Sequence, residues 1–103
     1  MTSAQPESFE SLSAFYPYYL SEHQDPRCRD AHFAGTTFGL ICLVFALATL
    51  NFSFVLLGLA GGYACAWFGH AVYEKNRPAT FRHPLYSFLC DWLMYRDMWL
   101  GRL

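Results

Sequence analysis

From residue 31 through residue 73 the chain has no Asp, Glu, Lys or Arg, and apolar side chains dominate. A bilayer core of roughly 30 Å is crossed by about 20 helical residues at about 1.5 Å each. The uncharged stretch therefore fits two crossings joined by a tight turn. Asn51, the most polar residue near its middle, is the natural turn, with transmembrane helices predicted over 33–50 and 52–72. One continuous helix would leave about half its apolar length outside the hydrocarbon. Small residues recur one turn apart, Gly35 with Gly39 and Gly58 with Gly62, the spacing that lets two membrane helices approach closely. Both flanks are amphipathic. Phe9, Leu12, Tyr16 and Tyr19 fall at helical spacing and predict a helix over 8–21, in which Pro17 marks a kink or an end. Residues 85–100 carry Leu85, Phe88, Trp92, Tyr95 and Trp99, a pattern that suits an interfacial helix or a cap over the hairpin mouth. The predicted fold is all-α: one membrane domain over 1–103, a helical hairpin with an amphipathic helix on each side.

Composition sharpens this reading. Charged residues make up 15% of the chain, against about a quarter in soluble domains, while hydrophobic residues reach 54%. A soluble protein of 103 residues has too little interior for that load. The formal net charge of -1, with no basic stripe, argues against a nucleic-acid partner and leaves membrane lipids as the expected surroundings. All seven Lys and Arg flank the open ends of the hairpin and none sits at Asn51, which places both termini in the cytoplasm. A bacterial inner membrane is expected, or the endoplasmic reticulum membrane in a eukaryotic cell. Met1–Glu10 has neither basic residues nor an apolar run, so it does not read as a secretory signal. Cys28, Cys42, Cys65 and Cys90 show no paired spacing and predict free thiols.

Candidate chemistry lies in the four histidines. His32 stands where the first crossing begins and His70 where the second ends, so an antiparallel hairpin brings them to one membrane face. His23 and His83 lie in the polar connections at that same mouth. Imidazole is a common ligand for iron, zinc and copper, and four rings at one mouth predict a bound metal. Glu74 follows His70 by four residues and shares its helix face, as a ligand or as an acceptor that orients the ring. Between His23 and His32, residues 24–30 read as a loop constrained at Pro26 that folds one histidine back toward the other. Arg77 and Lys75 are candidates for a substrate carboxylate; their plainer role is topology and contact with anionic lipid.

Phe15-Tyr16-x-x-Tyr19, His23-x-x-Pro26, His32 and Gly69-His70-x-x-x-Glu74-Lys75-x-Arg77-Pro78-Ala79 resemble the family of the fungal endoplasmic reticulum 2-hydroxy fatty acid dioxygenase. The run from Glu74 to Pro84, followed by Tyr86-Ser87 and Asp91-Trp92, resembles its short bacterial branch, and the similarity extends from about Phe15 to Leu103. The resemblance implies an Fe(II)-dependent oxygenase that takes a 2-hydroxy fatty acid and dioxygen and shortens the acid by one carbon. It carries over His23, His32 and His70 as metal ligands, with His83 as a fourth from the short branch and Glu74 as a supporting carboxylate. Cys28 departs from the fungal pattern, which has asparagine there, and the fungal enzymes have further membrane segments and one more histidine. Two crossings are few for a lipid pocket, so a homo-oligomer is expected. The competing readings are a non-catalytic metal-binding or lipid-organising hairpin and a haem-bearing electron carrier.

Overall fold

The computed structural model describes residues 9–103, and every regular element among them is helical. The predicted start of the first helix at Ser8, and most of Met1–Glu10, lie outside the described residues. Helix α1 spans Leu12–Ser21, with the Ser11 hydroxyl accepting from the Ala14 amide as its N-cap. Pro17 lies inside it without ending it.

Helix α2 runs over Pro26–Thr49, seven residues further toward the N-terminus than the apolar pattern predicts. The cause is local. Asp25 accepts from the Arg27 amide at 2.8 Å, and Pro26 takes the first helical position, where its missing N–H costs nothing. The expected loop over 24–30 is thus mostly helix, and His32 lies within α2 rather than before it. Leu50 follows in the left-handed region at φ 57°, and the Asn51 side chain accepts from the Ser53 amide and hydroxyl. The turn falls where the sequence places it.

Helix α3 spans Ser53–Gly69 and then widens into a single π-helical turn over His70–Glu74, closed by Lys75 at φ 59°. The His70 carbonyl accepts from both the Lys75 and Asn76 amides. A short 3₁₀ turn at Ala79–Phe81 leads into α4, Pro84–Trp99.

Helices α2 and α3 pair along their length through the predicted small residues. A Cβ on Gly35 would lie 2.8 Å from the Gly62 carbonyl oxygen, and one on Gly58 would lie 3.0 Å from Cys42 Cβ. Both helices are long and apolar enough to cross a membrane, and their outer surfaces expose Val44, Leu47 and Leu56 at 58%, 60% and 69%.

The tightest side-chain core lies beside the hairpin rather than within it. Phe15 and Tyr19 of α1 pack with Ala79 and with Cys90 and Met94 of α4. Tyr16 OH donates to Asp97 at 2.7 Å, and Arg96 and Arg102 hold the same carboxylate. Helix α4 also returns to the hairpin: Thr37 and Tyr95 hydroxyls hydrogen-bond at 2.9 Å, and Phe33 stacks near Tyr95 and Trp99. Together α1, the 3₁₀ turn and α4 form a cap over the open end. All four cysteines are free.

A buried three-histidine centre

Three segments meet where the cap closes on the hairpin, and each contributes one imidazole. His23 comes from the α1–α2 connection, His32 from the second turn of α2 and His70 from the start of the π turn. They are 1%, 5% and 2% exposed. His23 Nε2 lies 3.1 Å from His32 Nε2 and 3.0 Å from His70 Nε2, and ligand atoms of all three fall within 4.8 Å of one another.

The opposite ring nitrogens explain this convergence. His23 Nδ1 meets the Tyr19 carbonyl at 2.6 Å, His32 Nδ1 the Cys28 carbonyl at 2.9 Å, and His70 Nδ1 the Asn76 Oδ1 at 2.6 Å. Carbonyl oxygens only accept, so each Nδ1 carries the hydrogen and each Nε2 presents a bare lone pair. Burial and then the neighbouring His32 push the His23 imidazole down to about 2, which keeps that ring neutral at pH 7. Three converging lone pairs with no proton among them repel unless a cation sits at their focus. The donor set fits one metal ion, with an oxygen acceptor behind every imidazole. A haem does not fit: its axial nitrogens stand on opposite faces of a macrocycle, and nitrogens 3.0 Å apart admit no ring between them.

The scaffold behind the rings is tied at several points. Asn76 also donates from Nδ2 to the Glu22 carbonyl at 3.2 Å, linking the π turn to the end of α1. Arg29 Nε donates to the His23 carbonyl at 2.6 Å. The Tyr19 ring stacks on His23 at 4.1 Å, and its hydroxyl donates to Asp91 of α4. Gly69 lets α3 approach α2 at this level, where an added Cβ would lie 3.1 Å from Cys28 Sγ.

The other residues singled out from the sequence are placed elsewhere. His83 lies apart from the trio, its ring among Phe9, Phe15 and Tyr18 with centroids 5.2–6.2 Å away. Glu74 accepts from the Asp25 amide at 2.6 Å, bracing the start of α2, while the His70 ring donates to Asn76 Oδ1 instead. The π turn is the reason: it breaks the α-helical register on which a shared face for His70 and Glu74 depends. Lys75 closes the π turn with its backbone, and the Arg77 guanidinium lies over the Phe81 ring at 5.6 Å. Asn76, Tyr19, Ser87 and Asp91 are the site residues that carried no assigned role in the sequence; three of them were visible only as parts of a motif.

Two cavities meet at the trio. A small polar one is lined by the three histidines, Tyr19, Ser87 and Asp91. An apolar one of about 170 Å³ runs between α2, α3 and α4, lined by Gly39, Leu43, Val55, Gly58, Phe88 and Trp92 among others. His32, Ala66 and Asp91 line both, so the apolar space opens beside the imidazoles.

Among known proteins, a family model described as Mpo1-like, 2-hydroxy-palmitic acid dioxygenase Mpo1-like, matches residues 9–103. No curated protein and no solved structure matches the chain. That match covers every described residue, from the aromatic docking face of α1 through the three histidines to the end of α4, and the chain belongs to the Mpo1-like family.

Proposed function

We propose that this protein is a membrane-embedded, Fe(II)-dependent dioxygenase that shortens 2-hydroxy fatty acids by one carbon. The observation that carries the reading is the meeting of three buried, acceptor-backed Nε2 atoms with an apolar cavity at Asp91 and His32. His23, His32 and His70 would hold the ion. Bound ferrous iron supplies the redox centre at which dioxygen is activated.

The chain's own residues do the rest. The cavity between α2 and α3 takes the acyl chain and directs the polar head of the acid to the imidazoles. Tyr19, stacked on His23, and the cap core of Phe15, Cys90 and Met94 keep bulk water from that end. Asn76 and the backbone carbonyls of Tyr19 and Cys28 fix ring orientation. Arg77 and Lys75 stand outside both cavity linings, which fits contact with lipid headgroups at the membrane surface. Helices α2 and α3 span the bilayer in this reading, with the cap and both termini on the cytoplasmic side.

The test is oxygen uptake by detergent-purified protein with ferrous iron and 2-hydroxypalmitate, and identification of the acid one carbon shorter. Turnover is expected in the wild type and its loss, at least about 10³-fold, in His32→Ala and His70→Ala that remain folded. Metal binding without any 2-hydroxy-acid-dependent oxygen uptake would replace the enzyme with a non-catalytic metal-binding hairpin.

A further inference from the structure

One buried side-chain polar atom has no hydrogen-bond partner among the described residues: the hydroxyl of Ser87, in a residue 2% exposed. Orphaned hydroxyls of this kind cost stability, so a position that keeps one invites a functional explanation. Ser87 lies on α4 and lines the polar cavity together with the three histidines. Asp91, one helical turn later on the same face, lines that cavity and the apolar one. Tyr19 OH donates to Asp91 Oδ1, which leaves the second carboxyl oxygen able to accept.

Asp91 and His32 stand where the two cavities meet, and Ser87 lies in the polar cavity with His23 and His70, outside the apolar lining. We propose that Ser87 and Asp91 form a head-group subsite for a 2-hydroxy acid, Asp91 accepting from the 2-hydroxyl and Ser87 donating to the carboxylate. This assignment rests on the reading of the protein as a 2-hydroxy fatty acid enzyme and deepens it. The positions match the ligand: the carbon bearing the hydroxyl adjoins the tail, and the carboxylate lies beyond it. Both residues act as positioning groups, and neither is needed to hold the metal.

Binding discriminates the two roles without turnover. The zinc-loaded, detergent-purified protein would be titrated with 2-hydroxypalmitate and with palmitate by calorimetry, alongside Ser87→Ala and Asp91→Asn. In Asp91→Asn the remaining carbonyl oxygen still serves Tyr19, and an NH₂ replaces the free acceptor. Wild type is expected to prefer the hydroxy acid. Asp91→Asn should lower its affinity about fivefold and leave palmitate unchanged, whereas Ser87→Ala should weaken both acids by about fivefold. Zinc stoichiometry stays at the wild-type value in each. Ser87→Ala should be at least as heat-stable as wild type, because it deletes an unsatisfied buried hydroxyl, so lost binding cannot be ascribed to unfolding. Unchanged affinities in Ser87→Ala, or an undiminished preference in Asp91→Asn, would overturn the subsite. Oxygen uptake with ferrous iron tests the enzyme separately: turnover beside unchanged binding in the variants sinks only the subsite. No turnover in the wild type sinks the enzyme reading itself.

Discussion

At the level of single residues, the centre is defined as much by what stands behind each imidazole as by the imidazoles. Asn76 Oδ1 is the one side-chain acceptor among the three, and it also ties the π turn to α1. Asn76→Ala is expected to weaken Co(II) or Fe(II) binding about 10- to 100-fold, the usual cost of losing such a support. Asn76→Asp, which keeps an acceptor there, should recover most of that loss in the same titration. Asp91 offers a pH signature. Burial raises its folded pKa to about 7, above an unfolded value near 3.9, so its contribution to stability is complete below that unfolded value. The contribution falls away as pH rises through about 7. Thermal melts from pH 5 to pH 8.5 should show stability declining up to about pH 7 and levelling off above it in wild type, and a shallower decline in Asp91→Asn.

Among the elements, the hairpin pair separates glycines that look alike in the sequence. Gly35 and Gly39 form one small-residue motif, yet their surroundings differ. A Cβ at Gly35 meets Gly62 backbone oxygen at 2.8 Å and Cys65 Cβ at 2.9 Å, whereas at Gly39 its nearest neighbour is 3.6 Å away. Gly35→Ala must push α2 and α3 apart and is expected to cost about 1–3 kcal/mol, the range for overpacking. Gly39→Ala should be close to neutral when the two are compared by unfolding in mixed micelles. Because Gly35 lies one turn from His32 and lines the apolar cavity, the first variant should also lower metal affinity. The helix ends follow the same logic. Asp25-Pro26 is a legible N-cap and first-turn pair that extends α2 back to the polar connection, a signal the apolar pattern does not contain. Nothing comparable in the sequence announces the π turn at His70–Glu74, since its geometry is a compromise between α3 and the returning chain.

For the molecule as a whole, the histidines sit where the cap, α2 and the end of α3 come together, so an ion held by them would link metal binding to cap docking. An ion bound only by the folded protein stabilises it by about 2.7 kcal/mol at 100 times its dissociation constant. Adding a chelator to the loaded protein should therefore lower its melting temperature, and His23→Ala should melt like the chelated wild type and ignore the chelator. Independence from metal in the wild type would mean that the three rings pack without coordinating.

The uncharged stretch, the turn at Asn51 and the meeting of His32 with His70 are written in one-dimensional order, because hydrocarbon length and antiparallel pairing leave few alternatives. The family was legible too, carried by motifs spread from α1 to the start of α4. Selection among the polar residues was not. Only the docking of α1 and α4 over the hairpin decided that His23 joins the other two while His83 packs among aromatics, and that Asn76 rather than Glu74 reaches the His70 ring. The physical reason is that hydrophobic periodicity specifies which side of a helix is buried. Whether two polar groups on separate segments lie 3 Å or 10 Å apart depends on how those segments pack.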